Sequence, residues 1–282
     1  MSEPLVLDGK RLSKEIEADL TRRVERLLGS LGAAPVLATI LVGDDPASAT
    51  YVRMKGNACR RIGLESRKVE LGGDAATEQV TATIEELNAD PAVYGILLQH
   101  PVPEQVDERA CFDAIAPEKD VDGVTSLGFG RMAMGMPAYP SATPGGIMRM
   151  LAHYGIALEG AHAVIIGRSP ILGKPLAQLM LNANATVTVC HSRTRNLPEV
   201  VRAADVLVDA VGKPRFVQGE WIRDGAVLVD ASYNPGNIGD IDLETAAPKS
   251  RAYTPVPGGV GPMTIATLMA QTVEAAEASL GG

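Results

Sequence analysis

Aromatic side chains are scarce in this chain. They make up 4% of its 282 residues, with one tryptophan, six tyrosines and three phenylalanines. The core must therefore be built mainly from Ala, Val, Leu and Ile. Cysteine is rarer still. Cys59, Cys111 and Cys190 are odd in number, scattered and without a C-x-x-C pair. That pattern excludes a disulfide scaffold and a cysteine zinc site and fits reduced thiols in a cytosol. The four histidines show no H-x-x-x-H spacing, so no metal is expected. Net positive charge is also missing: 26 Lys and Arg against 34 Asp and Glu leave −8. This argues against a general nucleic-acid or anionic-membrane surface, while leaving room for a local basic pocket. Long apolar runs are absent too. A stretch such as Val36–Val42 falls far short of the ~20 residues that span a bilayer. The first ten residues carry no basic–apolar–cleavage pattern, so no secretion signal is expected and the compartment is expected to be cytoplasmic.

What is present is an alternation of strands and helices. Residues 5–10 read as a short edge strand and turn. Apolar residues at Ile16, Leu20, Val24, Leu27 and Leu28 recur at helical spacing over 13–28. Val36–Val42 is a continuous β-rich run, read as a buried parallel strand. Next come a helix over 47–62, a strand over 67–71, a helix over 77–88 with Thr77 as its cap, and a strand over 94–99. Residues 117–139 are rich in Gly, Pro and Met and lack a period, so they read as a loop and hinge between domains. A helix over 144–154 leads to a second set of strands over 163–166, Thr186–Cys190, 206–211 and 226–230. An Ala-rich helix over 263–280, capped by Thr264, closes the chain. Such alternation implies parallel sheets with right-handed crossovers.

The most telling local stretch is 161–175, Ala161-His-Ala-Val-Ile-Ile-Gly167-Arg168-Ser169-Pro-Ile-Leu-Gly173-Lys-Pro175. An apolar strand breaks at Gly167, crosses a polar loop and restarts as a helix. Pro175 suits the first helical turn. Such a unit presents backbone N–H groups and a positive helix end to a phosphate. Ser169 stands where G-x-G-x-x-G has its second glycine, and the loop is one residue longer. The stretch reads as a nucleotide phosphate site or as an ordinary strand–helix turn. After the second strand, Ser192-Arg193-Thr194-Arg195 holds no acid to bind a ribose 2′-hydroxyl. Ser and Arg attract a 2′-phosphate instead, with Arg168 as a further cation, so the charge favours NADP. The alternative is a solvated turn. Gly212, after the third strand, either covers the ribose or nicotinamide side or is a plain turn.

Tyr51 and Lys55 lie at i and i+4, on one face of a helix. Such a pair suits acid–base work, since a buried Lys shifts its pKa readily. A surface Lys beside a half-buried Tyr is the plainer reading. Gln99 ends a buried strand, where open α/β sheets place ligands. It either polarises a reacting oxygen or caps the strand. Asp120 and Asp122 either bind an N–H-rich heterocycle or form an Asp-Gly turn. Residues 255–264 hold three glycines and three prolines. That backbone suits a ligand loop or a structural turn.

Five ordered motifs resemble those of the bifunctional methylenetetrahydrofolate dehydrogenase/methenyltetrahydrofolate cyclohydrolase family, over essentially the whole chain. They are Tyr51-Val-Arg-Met-Lys55, Gly95-Ile-Leu-Leu-Gln99-His-Pro-Val-Pro103, Pro117-Glu-Lys-Asp-Val-Asp-Gly123, Gly167-Arg-Ser-Pro-Ile-Leu-Gly-Lys-Pro175 and Pro257-Gly-Gly-Val-Gly-Pro-Met-Thr264. The last is the most specific. The resemblance implies oxidation of 5,10-methylenetetrahydrofolate with NADP, then hydrolysis to 10-formyltetrahydrofolate. It makes Lys55 the key cyclohydrolase group. Tyr51 would orient the folate and hold Lys55, and Gln99 would tune Lys55 and polarise the reacting oxygen. Asp122 would bind the pterin-like ring, with Gly258, Gly259 and Pro262 also meeting substrate. Gly167, Arg168, Ser169, Gly173, Ser192, Arg193 and Gly212 would meet NADP. The implied fold is two α/β domains with an interdomain cleft. Residues 1–140, completed by a helix over 262–282, form a catalytic domain, and 141–261 form a Rossmann-like NADP-binding domain that joins a homodimer. Departures from the pattern are His100 for the usual Leu, Ser141-Ala142 for Pro-Cys, and Ala231-Ser232-Tyr233 within the usual D-V-G-I-N. The rival expectations are a dehydrogenase with weak cyclohydrolase activity and a non-catalytic NADP- or folate-binding regulator.

Overall fold

The computed structural model describes residues 3–232 and 234–281; Tyr233 lies outside them. In chain order the elements are β1 (Leu5–Val6), α1 (Gly9–Leu31), β2 (Val36–Val42), α2 (Pro46–Ile62), β3 (Glu65–Leu71), α3 (Thr77–Ala89) and β4 (Val93–Leu98). They continue with α4 (Glu108–Asp113), α5 (Ser126–Ala133), α6 (Ala142–His153), β5 (His162–Ile166), α7 (Gly173–Asn182), β6 (Thr186–Cys190) and α8 (Leu197–Arg202). The last are β7 (Val206–Asp209), β8 (Val227–Asp230), α9 (Leu243–Ala246), β9 (Ala252–Tyr253) and α10 (Val260–Ala278). Both sheets are wholly parallel, so the fold is α/β.

The chain divides into two compact units. One comprises Lys14–Ala142 and Ile265–Gly282. Its three-stranded sheet runs β3-β2-β4. Every residue of β2 is buried, as a central strand covered on both faces requires. Leu20, Val24, Leu27, Leu37, Cys59, Ile62, Leu97 and Met269 form its core. Gly95 in β4 is there because space is short: a Cβ would come within 2.6 Å of Val121 and 3.0 Å of Leu37. The last helix is tied in by Gln271, whose amide donates to the carbonyls of Val121 (2.6 Å) and Pro140 (3.1 Å).

The other unit comprises Met1–Ser13 and Thr143–Thr264. Its six strands run β1-β9-β8-β7-β5-β6. β1 pairs with β9, Leu5 beside Ala252. The first residues thus join the sheet of residues 143–264, where the sequence placed them with the catalytic domain. Two-residue strands carry too little pattern to show which sheet they complete.

Three local expectations need correction. Ala76, not Thr77, is the N-cap of α3; the Thr77 hydroxyl instead accepts from Asp107 N at 2.9 Å. Residues 117–139 are not all loop. They contain α5, which Thr125 opens by accepting from Gly128 N at 2.9 Å. Three glycyl and methionyl positions in that short helix hid its period. Thr264 does not cap the last helix, because α10 already begins at Val260. Its hydroxyl lies 3.0 Å from that of Thr143.

Candidate active site and cofactor loops

α2 begins cleanly. Asp45 accepts from Ser48 N at 2.7 Å, Pro46 takes the first position, and Gly63 closes the helix in the left-handed conformation at φ 86°. This fixes Lys55 in mid-helix. Its ammonium end donates to Gln99 Oε1 at 3.0 Å. Gln99 follows the end of β4, where its N–H extends the sheet to Ile40 O at 2.9 Å. Its amide group donates to the His100 carbonyl at 2.7 Å. That bond fixes the amide so that oxygen, not nitrogen, meets Lys55. Gln99 is buried, and Lys55 itself is half-buried.

Desolvation pushes the Lys55 pKa below the usual lysine range, and the nearby Asp122 carboxylate opposes that shift. Asp122 is pushed up to about 6, mainly by burial, with Lys55 pulling it down and Asp120 pushing it further up. The structure thus brings Lys55, Gln99 and Asp122 together. Tyr51 stands one turn before Lys55 on α2, 43% exposed. The hydrogen bond that holds Lys55 comes from Gln99, not from Tyr51.

The two aspartates of Lys119-Asp-Val-Asp-Gly123 have different tasks. Asp120 is buried, and its carboxylate accepts from Val124 N at 2.9 Å and Thr125 N at 3.0 Å. It ties the loop that enters α5. Lys119 donates to the carbonyls of Leu87 (3.1 Å), Asn88 (2.7 Å) and Asp90 (2.7 Å), satisfying the end of α3. Only Asp122 faces Lys55. Asp120→Ala is expected to lower unfolding free energy by about 2–4 kcal/mol, since two buried N–H groups lose their acceptor. Asp122→Ala is expected to spare stability and to lower the Lys55 pKa further, since the carboxylate that opposes the shift is removed. Chemical denaturation and titration of the Lys55 amine check the pair. Gly123 adopts φ +64°, and a Cβ there would overlap the Pro140–Ser141 backbone. The departure at Ser141 has a place here: its hydroxyl donates to the Gly123 carbonyl at 2.6 Å.

The predicted cofactor residues gather along one edge of the six-stranded sheet. Ile166 is level with Cys190 on β6 and with Asp209 on β7. The segments after all three strands therefore emerge together. Gly167 N donates to Cys190 O at 2.9 Å, and Ala210 N to Ile166 O at 2.9 Å. Gly167 lies at φ +126°, and a Cβ on Gly173 would overlap its carbonyl. These two glycines let the loop fold tightly onto the start of α7. Ser169 accepts at its hydroxyl from Leu172 N (3.1 Å) and at its carbonyl from Lys174 N (3.1 Å). The cap residue Leu172 offers no side-chain acceptor to the first turn. Arg168, Ser169, Ser192, Arg193 and Gly212 are exposed on this edge. A glycine cradle, a helix start without a side-chain cap and cations with no competing acid fit a dinucleotide phosphate. Gly173→Ala is expected to displace Gly167 and weaken dinucleotide binding about tenfold or more; dissociation constants for the dinucleotide check it.

Gly258 (φ +109°), Gly259 and Pro262 lie in the same unit as this sheet. Gly258 O accepts from Lys10 N at 2.8 Å, and Gly259 N donates to Pro255 O at 2.8 Å.

Residues 141–280 match the Tetrahydrofolate dehydrogenase/cyclohydrolase, NAD(P)-binding domain, and residues 7–122 match the catalytic domain of the same family. The chain belongs to the tetrahydrofolate dehydrogenase/cyclohydrolase family. It is 67% identical to the bifunctional protein FolD of Saccharophagus degradans over 277 residues, 98% of this chain and 99% of that one. The bifunctional FolD of Campylobacter jejuni has a closely similar structure, with TM-score 0.95 and 41% identity, covering 97% of this chain and 99% of that one. So does the Trypanosoma brucei FolD solved with NADP and an inhibitor: TM-score 0.95, 34% identity, all of both chains. Those FolD relatives are bifunctional enzymes, dehydrogenase and cyclohydrolase, and so is this chain.

The sequence reading gave no role to Asp209, Asp230 and Asp240, which meet behind Val211 and Gly212 beside Ser232, one of the departures from the family pattern. A signal existed. β7 and β8 share the sequence Val-Leu-Val-Asp, three apolar residues and then a buried acid. Among the described residues, no group of three or more His, Cys, Asp or Glu is arranged to hold a metal ion. Among the same residues, no helix is long and apolar enough to cross a membrane.

Proposed function

We propose that the protein oxidises 5,10-methylenetetrahydrofolate to the methenyl cation with NADP and hydrolyses that cation to 10-formyltetrahydrofolate, with Lys55 as the base of the second step. The Lys55–Gln99 hydrogen bond at 3.0 Å, in a setting that favours a neutral amine, carries this reading. A neutral amine accepts a proton; a solvated ammonium does not. Water adds to the methenyl carbon and gives one proton to Lys55. The resulting hydroxyl gives its proton to N5 as the carbon–N5 bond breaks, leaving the formyl group on N10. One proton is released overall. Gln99 holds Lys55 in place and offers its amide to the reacting oxygen. Asp122 accepts N–H groups of the pterin-like ring, and Tyr51 presents its exposed face to it. Gly258, Gly259 and Pro262, in the unit that carries the cofactor loops, are further substrate-binding candidates because their backbone is open to close approach.

When bound, NADP takes the hydride that leaves the methylene. This chain's part in that step is placement. Gly167, Ser169 and Gly173 cradle the pyrophosphate, while Arg168, Ser192 and Arg193 meet the 2′-phosphate. Gly212 lies against the ribose or nicotinamide side. The unit of residues 14–142 and 265–282 serves as the catalytic domain and that of residues 1–13 and 143–264 as the cofactor domain. The working form is a cytoplasmic homodimer joined through the cofactor domains, in one-carbon supply for purine biosynthesis. It has no nucleic-acid partner.

An absorbance assay with methylenetetrahydrofolate tests the assignment, run in parallel with NADP and NAD and following both steps. NADPH and then loss of the methenyl product are expected. No reduced cofactor at high protein concentration would point to a binding protein instead. Cyclohydrolase rate should rise with pH through a titration below the usual lysine range, because Lys55 must lose its proton to act.

A further inference from the structure

Three carboxylates lie almost wholly out of solvent behind the loop that follows β7. Asp209 is 0% exposed, Asp230 1% and Asp240 0%. Asp209 and Asp230 end neighbouring strands at the same level. Their hydrogen bonds divide the work. Asp230 accepts from Ile241 N at 2.8 Å and from Ser232 N at 3.0 Å, so it shapes the segment after β8. Asp240 Oδ2 accepts from both Val211 N (3.0 Å) and Gly212 N (2.6 Å), and its Oδ1 accepts from the Asn234 amide at 2.9 Å. Gly212, at φ +68°, also donates weakly to Ser232 Oγ at 3.3 Å. Two consecutive backbone N–H groups of an exposed loop are thus turned inward onto one carboxylate oxygen.

Asp209 is different. Its Oδ1 accepts from Val211 N at 3.2 Å, but its Oδ2 is buried with no donor at all. The neighbour in hydrogen-bond reach is the Asp240 carboxylate, itself an acceptor. Two ionised carboxylates cannot occupy such a site. A proton on Asp209 converts the orphan oxygen into a donor and the repulsion into a bond.

We propose that Asp209 and Asp240 are positioning residues for the dinucleotide: a carboxyl-to-carboxylate bridge between them clamps the N–H groups of Val211 and Gly212 and so holds the cofactor loop in its binding form. The inference rests on the proposed place of the cofactor beside Gly212. The electrostatics agree with the geometry. Burial, then the Asp240 bond and the charges of Asp240 and Asp230, hold the Asp209 carboxyl protonated well above the usual carboxylate range. Burial pushes Asp240 up, but donors from Ser232, Asn234, Asp209 and Val211 outweigh it and hold Asp240 below that range. The groups that act on Asp209 from the neighbouring elements are therefore both acids. Loss of the Asp209 proton in alkali sets like charges against each other and frees the loop.

Asp209→Asn keeps a permanent donor to Asp240 in the same shape. Asp209→Leu keeps the branched outline, with two methyl groups in place of the oxygens, and removes the donor. In wild type, NADP affinity is expected to fall as pH rises from neutral into the alkaline range. Asp209→Asn is expected to bind NADP as wild type does at neutral pH and to lose the alkaline fall. Asp209→Leu is expected to bind about tenfold or more weakly at neutral pH. Amide hydrogen exchange of the Val211–Gly212 segment should quicken in Asp209→Leu and not in Asp209→Asn. An alkaline fall in Asp209→Asn equal to wild type would overturn the proposal, as would wild-type NADP affinity in Asp209→Leu. If Asp209→Leu does not fold, the pH profile of Asp209→Asn decides alone. The placement beneath it is read separately: NADP should slow exchange of the Val211–Gly212 segment in wild type. No slowing there would refute the cofactor's place beside Gly212, whatever the variants do.

Discussion

Lys55→Met is expected to lower cyclohydrolase turnover by about 10²- to 10⁴-fold, the usual worth of a general base. Methionine keeps an unbranched chain of similar length and cannot take a proton. The wild-type amine is already desolvated, so removing it relieves a cost and should not unfold the protein. Hydrolysis of the methenyl substrate, followed by loss of its absorbance, measures the effect. A denaturation midpoint near wild type shows that the fold is intact. Unchanged turnover in the folded variant would remove Lys55 from the reaction. Gln99→Glu gives a second readout. It sets a carboxylate where Oε1 now lies 3.0 Å from Nζ. A negative neighbour favours the charged ammonium and raises the Lys55 pKa. The rising limb of the pH–rate profile should therefore move to higher pH, with activity at neutral pH reduced.

Arg168→Ala is expected to weaken NADP binding by about 10- to 100-fold, while NAD binding changes by no more than about threefold. The range follows from a charge-assisted hydrogen bond of ~1.5–3 kcal/mol. NAD lacks the 2′-phosphate and so has nothing to lose at this position. Arg168 is exposed on the loop that ends β5, so the NADP preference should also shrink with ionic strength. Dissociation constants for the two dinucleotides at two salt concentrations check this. Equal losses for both would place the 2′-phosphate elsewhere.

Long elements with a strong period were legible in the sequence. β2 runs as expected over Val36–Val42, because seven apolar residues in a row have one good place, the middle of a parallel sheet. The strands that carry the cofactor loops and the helix that carries Lys55 were equally plain. Short elements were not. β9 has two residues and α5 eight, three of them glycine or methionine, so neither has room for a period. Position 233 shows the limit from another side: its departure from the family pattern was visible, and it lies outside the described residues.

The sequence by itself named the candidate site residues. Lys55, Gln99 and Asp122 could be picked out because ordered motifs, chain positions and residue chemistry are all one-dimensional facts. Which groups touch is a three-dimensional fact. That Gln99, rather than Tyr51, holds Lys55 was decided by the end of β4 meeting mid-α2. That Asp120 ties a loop while Asp122 faces the lysine was decided by which carboxylate the fold surrounds with N–H groups. The sequence marks two of the three buried aspartates by the repeated Val-Leu-Val-Asp, but their meeting and their charge states belong to the tertiary structure. An aspartate's charge state depends on the water and donors it loses on folding, and only packing of β7 against β8 took those away.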